Sequence, residues 1–174
     1  MIKILTVLGA RPQVIKSAAI TRIVRSGFAH QLQEVVLNTG QHYDVNMNAV
    51  FFEELFLPAP KYDESIDFKH PFPINQMISG IEKAIQIEIP DIILVYGDTN
   101  STLAGAISAV KNDIPLVHIE AGLRSFNIDM PEEGNRILTD HSSRLLFSPT
   151  FEGVRNLQKE SIDLMKTLLE KNYT

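Results

Sequence analysis

The hydrophobic and polar positions of the chain alternate between two patterns. Short apolar runs are each followed by a stretch whose apolar residues recur at helical spacing. The five runs are IKILTVL (2–8), LQEVVLNTG (32–40, a strand and its exit), DIILVY (91–96), PLVHIE (115–120) and RLLFS (144–148). Strands that alternate with helices predict βαβ units, and both faces of such a parallel sheet are covered by helices. The pattern predicts a single α/β domain of Rossmann-like type.

The helical pattern marks the segments between the strands. A proline follows the first arginine of the first segment, and Gly27 closes it, as at many helix ends. The predicted helices span 11–27, 44–56, 73–89, 101–113 and 132–143. The segment LPAPKYDES (57–65) is expected to be a loop. The rest of the chain after the last strand, 149–174, is expected to be helical to its end, and its tail NLQKESIDLMKTLLEKNYT (156–174) is expected to enter no further strand.

Composition narrows the possible functions. The chain has 174 residues, a net charge of −5 and a pI near 5.5, which argues against nucleic acid as its main partner. It has no cysteine, which fits a cytoplasmic protein. The apolar start is about six residues long, too short for a signal peptide. No window has the roughly 20 apolar residues of a membrane span, so no membrane association is expected.

The residues that follow the strands carry the candidate chemistry, because ligands of open parallel sheets bind outside the carboxyl ends of the strands. All four exits contain glycine and polar or charged residues: 9–12, 39–42, 97–101 and 120–125. The first exit, GARPQ, is not the G-x-G-x-x-G of dinucleotide-binding proteins, and the chain has no P-loop motif.

Several of these residues allow a structural as well as a functional interpretation. Asp98 could be the N-cap of a helix or could face a ligand. Arg11 lies at a positive helix end, where a cation is unfavourable without a nearby anion, so it points to anion binding. Lys16 could be a solvated lysine of the same helix. His118, inside an apolar strand, is expected to be a hydrogen-bonded core histidine.

Two further positions stand out near the fourth exit. Glu120 at the strand tip is harder to explain structurally, and Gly122 beside it implies a close approach or an unusual dihedral angle. Glu132 and Glu133 follow a proline and could be acidic residues of a first helical turn.

Taken together, the strand exits resemble one known family. Six motifs in register, from residue 1 to about 160, are similar to the N-terminal domain of UDP-N-acetylglucosamine 2-epimerases. They are GARPQVIK (9–16), TGQHYDVNM (40–47), YGDTNSTLAGA (96–106), HIEAGLRS (118–125), MPEEGNRILTDHSS (130–143) and LLFSPTFEGVRNL (145–157). One segment departs from the family pattern: DFKHPFPINQ (67–76) contains two prolines and lacks the usual glycine.

The resemblance implies one half of a glycosyltransferase-B-like enzyme, whose active site lies in the cleft between two domains. The chain, 1–174, would be the N-terminal domain, and the C-terminal UDP-binding domain would be absent from it or separate. The implied ligand is a UDP-sugar, with no cofactor and no metal. A homodimer, a cytoplasmic location and a role in cell-surface polysaccharide biosynthesis are also implied.

The resemblance also assigns site residues. The active-site carboxylates would be Asp98, Glu120 and Glu132. The substrate-binding residues would be Arg11, Lys16, Gln41, His42 and Arg136; in bacterial non-hydrolysing members the Gln-His pair lies near a second, regulatory UDP-sugar site.

The implied reaction interconverts UDP-N-acetylglucosamine and UDP-N-acetylmannosamine. UDP is eliminated across C1–C2 and is added back after the C2 proton returns to the other face. Carboxylates can stabilise the positive charge that develops on the ring and can carry the proton. GARPQ and MPEEGNRILTDH favour the non-hydrolysing branch. The alternatives are the hydrolysing branch and a non-catalytic binding or assembly module.

Overall fold

The computed structural model describes residues 1–40, 52–63, 73–160 and 167–169 of the chain. In these residues a parallel sheet of seven strands forms the centre of the domain, in the order β3-β2-β1-β4-β5-β6-β7. The strands are β1 (Ile2–Leu8), β2 (Leu32–Asn38), β3 (Tyr62–Asp63), β4 (Ile92–Tyr96), β5 (Leu116–Ile119), β6 (Leu145–Ser148) and β7 (Thr167–Leu169). The parallel Rossmann-like sheet predicted from the sequence is confirmed.

Helices connect the strands in the described part of the chain. They are α1 (Arg11–Gly27), α2 (Pro73–Glu88), α3 (Asn100–Lys111), α4 (Pro131–Ser142) and α5 (Phe151–Lys159). Each begins within a few residues of a predicted boundary. Of the helix predicted over 44–56, only residues after 51 are described, and 52–54 are helical. Within the described ranges, no helix is long and apolar enough to cross a bilayer.

Two apolar clusters cover the two faces of the sheet, because alternate side chains of a strand point to opposite faces. One face of β1 and β4 packs with Val14 of α1 and includes Leu8 and Tyr96. The opposite face packs against α2 and α3 and contains the larger cluster: Leu5, Val7, Val35, Leu37, Met77, Ile81, Ala84, Ile85, Ile93, Val95, Ala104, Ala106, Ala109 and Leu116. Helices therefore lie on both faces, as the unbroken apolar strands predict.

Small residues let α3 lie close to β4. A Cβ atom at Gly105 would lie 2.7 Å from Cγ1 of Val95, which is fully buried. The helix contact at this position therefore requires glycine. The close packing holds the start of α3 directly beyond the carboxyl end of β4.

Two expectations about secondary structure are wrong. The tail is not helical to its end, because α5 stops at Lys159 and β7 pairs in parallel with β6. The segment predicted as a loop after residue 57 contains β3, whose two residues pair with the end of β2. Both strands are very short and lie at the edges of the sheet, so pairing with a neighbour decides their conformation more than local sequence does.

Candidate active site

The candidate site lies at the carboxyl ends of the central strands. β1 pairs with β2 on one side and with β4 on the other. The helix after β1 packs on one face and the helix after β4 on the opposite face, so a crevice opens between these two exits. The exits of β1, β4 and β5 are adjacent in the sheet.

The exits of β1 and β2 approach the start of α3 very closely at Gly9. A Cβ atom there would lie 2.8 Å from Cβ of Ser101 and would also collide with the hydroxyl oxygens of Ser101 and Thr39. Those two hydroxyls are buried and hydrogen-bonded to each other at 2.7 Å. The glycine therefore allows three chain segments to meet under the floor of the crevice.

Gln13, a buried residue of α1, ties the first exit to the third. Its Oε1 accepts hydrogen bonds from the backbone N–H groups of Gly9 and Ala10, at 2.8 and 3.0 Å. Its Nε2 donates to the carbonyl of Tyr96 at 2.7 Å and lies 3.0 Å from the hydroxyl of Thr102. A single side chain thus fixes the entry of α1 against the end of β4.

Asp98 lies at the exit of β4 and is paired with Arg136 of α4. Its side chain is 31% exposed, whereas that of Arg136 is 12% exposed. The suggestion that Asp98 caps a helix is wrong: the N-cap of α3 is Thr99, whose hydroxyl accepts from the backbone N–H of Thr102. The carboxylate of Asp98 is therefore not used for capping. Asn135 holds the same turn by donating to the carbonyl of Asp98 at 3.0 Å.

Glu120 lies at the exit of β5, next to the turn that carries Asp98. Its carboxylate is 28% exposed and pairs with Lys16 of α1. Its backbone has φ +79°, a left-handed conformation that is costly for a residue with a side chain. A Cβ atom at Gly97 would lie 3.4 Å from Oε2 of Glu120, so the two exits are in contact range. Gly97 itself has φ +65°, which explains the glycine.

Glu133, in the first turn of α4, anchors the loop after β5. It is buried and accepts hydrogen bonds from the backbone N–H groups of Ser125 and Phe126 at about 3 Å, besides pairing with Arg136. Burial acts to raise the pKa of Glu133, but these N–H groups and the charge of Arg136 outweigh it and lower the pKa. Arg136 thus bridges a structural carboxylate and the half-buried carboxylate of Asp98.

An ionic network of three buried side chains, His118, Asp140 and Arg124, and the partly exposed Glu160 joins the exit of β5 to α4 and α5. His118 contacts Asp140, and Asp140 accepts from the side chain of Arg124 at 2.7 Å. Arg124 also makes two hydrogen bonds to Glu160, at 2.7 and 2.8 Å. The Arg124 hydrogen bond is the main cause that lowers the pKa of Glu160. The expectation that His118 is a hydrogen-bonded core residue is confirmed.

Gly122 fulfils both conditions inferred from the sequence. It has φ +80°, and a Cβ atom there would lie 2.7 Å from the carbonyl carbon of Gly153. The side-chain amide of Asn156 donates to the Gly122 carbonyl at 3.0 Å. The loop after β5 is therefore packed tightly against α5.

The structure brings together four of the eight residues assigned from the resemblance, as two ion pairs, Lys16–Glu120 and Arg136–Asp98. Arg11 and Glu132 are exposed in the first turns of α1 and α4. Gln41 and His42 lie outside the described residues.

Sequence reasoning did not single out the residues that hold the site from below. Gln13 carried a detectable signal, since a glutamine three residues after a helix cap can reach back to the cap's N–H group. Asn135, Asp140 and Arg124 gave no such local signal, because their partners are far away in the sequence.

Comparison with known proteins agrees with the resemblance noted in the sequence. The family model described as UDP-N-acetylglucosamine 2-epimerase matches residues 27–167. A UDP-N-acetylglucosamine 2-epimerase homolog of Methanococcus maripaludis is 48% identical over 162 residues, which are 92% of this chain and 44% of that protein. A UDP-2,3-diacetamido-2,3-dideoxy-D-glucuronate 2-epimerase of Pseudomonas aeruginosa is 49% identical over 162 residues, 92% of this chain and 45% of that protein.

Solved structures give the same result. The crystal structure of Methanocaldococcus jannaschii UDP-GlcNAc 2-epimerase in complex with UDP-GlcNAc and UDP superimposes with a TM-score of 0.90 and 44% identity, over 97% of this chain and 46% of that chain. The chain thus spans less than half the length of these relatives. The chain belongs to the UDP-N-acetylglucosamine 2-epimerase family.

Proposed function

We propose that this chain supplies the N-terminal half of an epimerase that inverts C2 of a UDP-linked 2-acetamido sugar. The observation that carries the proposal is the pair of half-buried carboxylates at adjacent strand exits, Asp98 and Glu120, each next to a cation from a different helix. The family relationship indicates the type of reaction. The carboxylates and the cations beside them are the kinds of group that acid–base chemistry on a UDP-sugar requires.

The reaction needs a proton moved at C2 and charge stabilised at C1. Loss of UDP from C1 develops positive charge on the sugar ring, and a nearby carboxylate stabilises it. Removal of the C2 proton needs a base, and its return to the other face needs an acid. Asp98 and Glu120, together with Glu132 at the start of α4, are the proposed carboxylates for these steps.

The lysine and arginine side chains near the two carboxylates suit the departure of UDP. A departing diphosphate carries negative charge, which Lys and Arg side chains and helix N-termini stabilise. Lys16 lies in the second turn of α1, and Arg11 is exposed at the first residue of the same helix. Lys16, Arg11 and Arg136 are therefore the proposed residues that meet the diphosphate. Gln41 and His42 remain proposed ligand residues on the resemblance alone.

The solvent exposure of the two carboxylates supports the proposal that this chain forms one side of a cleft whose other side is a second domain. Asp98 and Glu120 are 31% and 28% exposed, although they follow β4 and β5, which lie in the middle of the sheet. Reactions with separated charge profit from a site that excludes water. We therefore propose that the C-terminal UDP-binding half of an epimerase closes over this edge.

The substrate is the point on which two relatives differ. The similarity to the Pseudomonas aeruginosa protein, whose name specifies a diacetamido glucuronate, gives a second candidate substrate of the same reaction type. Both substrates share UDP and a 2-acetamido group, so the carboxylates would act in the same way on each. We favour UDP-N-acetylglucosamine because the matching family model carries that name.

The test is an assay on a fusion of this chain to the C-terminal part of the Methanocaldococcus jannaschii enzyme that lies beyond the match. We expect conversion of UDP-N-acetylglucosamine to UDP-N-acetylmannosamine, with a higher kcat/KM than for the diacetamido glucuronate. A higher kcat/KM for the diacetamido glucuronate would identify that sugar nucleotide as the substrate instead. Release of free N-acetylmannosamine and UDP would assign the hydrolysing branch.

The carboxylates are tested in the same fusion. Asp98→Asn, Glu120→Gln and Glu132→Gln should each lower kcat by roughly 10²–10⁴, as expected when an acid, a base or a charge stabiliser is removed. Glu82→Gln is the matched control, because Glu82 is also 28% exposed and paired with a lysine, but lies on α2 away from the site. A carboxylate variant that retains kcat removes that residue from the proposed set.

We also propose that the chain forms a homodimer, as the family resemblance implies. Sedimentation velocity of the purified chain tests this, and a monomer at high concentration would contradict it.

A further inference from the structure

His118 has an unusual hydrogen-bonding environment for a buried histidine. Its side chain has no exposed surface, and both ring nitrogens are bonded. Nε2 lies 2.7 Å from the carbonyl oxygen of Gly97. Because a carbonyl oxygen can only accept, Nε2 must carry a proton and donate it.

The second ring nitrogen faces another acceptor. Nδ1 lies 2.7 Å from Oδ1 of Asp140. The other oxygen of Asp140 accepts from the backbone N–H of Gly122 at 3.0 Å and from Arg124 at 2.7 Å. A carboxylate that accepts from a guanidinium and from a backbone N–H group is ionised and can only accept, so Nδ1 must donate too.

A ring that donates from both nitrogens is an imidazolium. The charges of the network balance: Arg124 and His118 are positive, and Asp140 and Glu160 are negative. His141 also lies 3.1 Å from Glu160, with its side chain 46% exposed. A buried charge is tolerated when it is paired and hydrogen-bonded in this way. The network therefore accommodates a charged His118 without an uncompensated buried charge.

The ring joins the two strand exits that carry the candidate carboxylates. His118 is in β5, two residues before Glu120, and its bond reaches the residue before Asp98. The N–H of Gly97 also donates to the carbonyl of Ile119 at 3.0 Å. Gly97 is thus held to β5 by two hydrogen bonds, one from its N–H group and one to its carbonyl oxygen. Gly97 has φ +65° and Glu120 has φ +79°, so both residues have left-handed backbone conformations.

We propose that His118 is a positioning residue which, as an imidazolium, fixes the Gly97 turn and thereby sets the distance between Asp98 and Glu120. The role of those two carboxylates rests on the proposed function, whereas the contacts of the ring do not. His118 is fully buried, so it acts through the turn and does not touch the substrate.

The first test needs no variant. The chain is labelled with ¹⁵N in its histidine rings, and ring nitrogen shifts are recorded at pH 7. We expect both nitrogens of His118 to be protonated, with two N–H protons protected from exchange by burial. A ring with one unprotonated nitrogen would overturn the proposal.

Two variants separate the two contacts. The amide nitrogen of glutamine occupies roughly the place of Nε2, so His118→Gln keeps the bond to Gly97 and loses that to Asp140. His118→Asn does the reverse. If the ring positions the turn, the backbone ¹⁵N and carbonyl ¹³C shifts of Gly97 and Asp98 change more in His118→Asn than in His118→Gln.

Equal changes at Gly97 and Asp98 in the two variants would contradict the positioning role, because a purely structural loss affects both alike. Amide shifts of Ile93, inside β4, report whether the sheet itself is intact. If neither variant folds, the protonation state of the wild-type ring decides. All these measurements are made without substrate, so they succeed or fail independently of epimerase activity.

Discussion

Glu88, at the last residue of α2, should make the stability of the domain depend on acid pH. Its carboxylate is 4% exposed and binds three groups: Lys61 at 2.5 Å, the hydroxyl of Tyr62 at 2.6 Å and Lys3 at 3.3 Å. The Lys61 and Tyr62 bonds are the main causes that lower the pKa of Glu88 from 4.5 to about 2. The carboxylate joins α2 to the starts of β1 and β3, so its ionised form is coupled to folding.

The sign of the effect follows from the lowered pKa. A carboxylate whose pKa is lower in the folded state stabilises the fold fully above its unfolded pKa, and this stabilisation is lost as the pH falls through the folded pKa. The difference of about 2.5 units between the ordinary and the folded-state pKa of Glu88 corresponds to about 3 kcal/mol of unfolding free energy at neutral pH. Lys61 is 57% exposed, so solvent screening reduces this to about 2 kcal/mol. More than half of that, about 1 kcal/mol, should be lost by about pH 3.

The perturbation is Glu88→Gln, which removes the titrating group at nearly constant volume. Urea unfolding of wild type and variant is followed by far-UV circular dichroism between pH 3 and 7, since the chain has no tryptophan. We expect wild type to be more stable than Glu88→Gln at pH 7, and this difference in unfolding free energy to shrink by about 1 kcal/mol at pH 3.

Glu152→Gln is the control, because Glu152 is 61% exposed and its pair with Arg155 should contribute little. Its difference from wild type should stay near zero over the same range. A difference in unfolding free energy between wild type and Glu88→Gln that is independent of pH would contradict this prediction, because folding would then not favour the ionised form of Glu88.

The candidate site and the ionic network around Arg124 can be tested in the same way. The 174-residue chain alone should not interconvert UDP-N-acetylglucosamine and UDP-N-acetylmannosamine at a useful rate, because it leaves Asp98 and Glu120 open to water; robust turnover by the purified chain would contradict this. Arg124→Leu should lower the unfolding free energy by about 3 kcal/mol, because the buried Asp140 and its neighbour Glu160 both lose the guanidinium that donates to them. Urea unfolding measures this loss, and a change below about 1 kcal/mol would show that the network is not coupled to folding.

Five of the seven described strands, and the sheet edge that carries the candidate site, could be predicted from the sequence because both depend on short-range patterns. The apolar runs at β1 and β4 stop where glycine and polar residues begin, and a parallel sheet places such exits at one edge. The positive φ at Gly122 was likewise signalled by the residue type.

The partners of the site residues could not be predicted, because they depend on distant parts of the chain. Lys16 and Glu120 are 104 residues apart, and Asp98 and Arg136 are 38 apart, so only the folded sheet brings them together. The helix cap is Thr99 instead of Asp98, a difference of one residue that local preferences do not resolve, since both types are good caps.

In the proposed reaction, the carboxylates at the strand exits move a proton at C2 of a UDP-sugar. The most direct measurement is the mass and NMR spectrum of UDP-sugar incubated in D₂O with the fusion of this chain to the C-terminal part of the Methanocaldococcus jannaschii enzyme. We expect deuterium at C2 of the epimerised product, and a rate of incorporation that falls at least about 10²-fold in both Asp98→Asn and Glu120→Gln. Epimerised product without deuterium at C2, or incorporation unchanged in both variants, would contradict it.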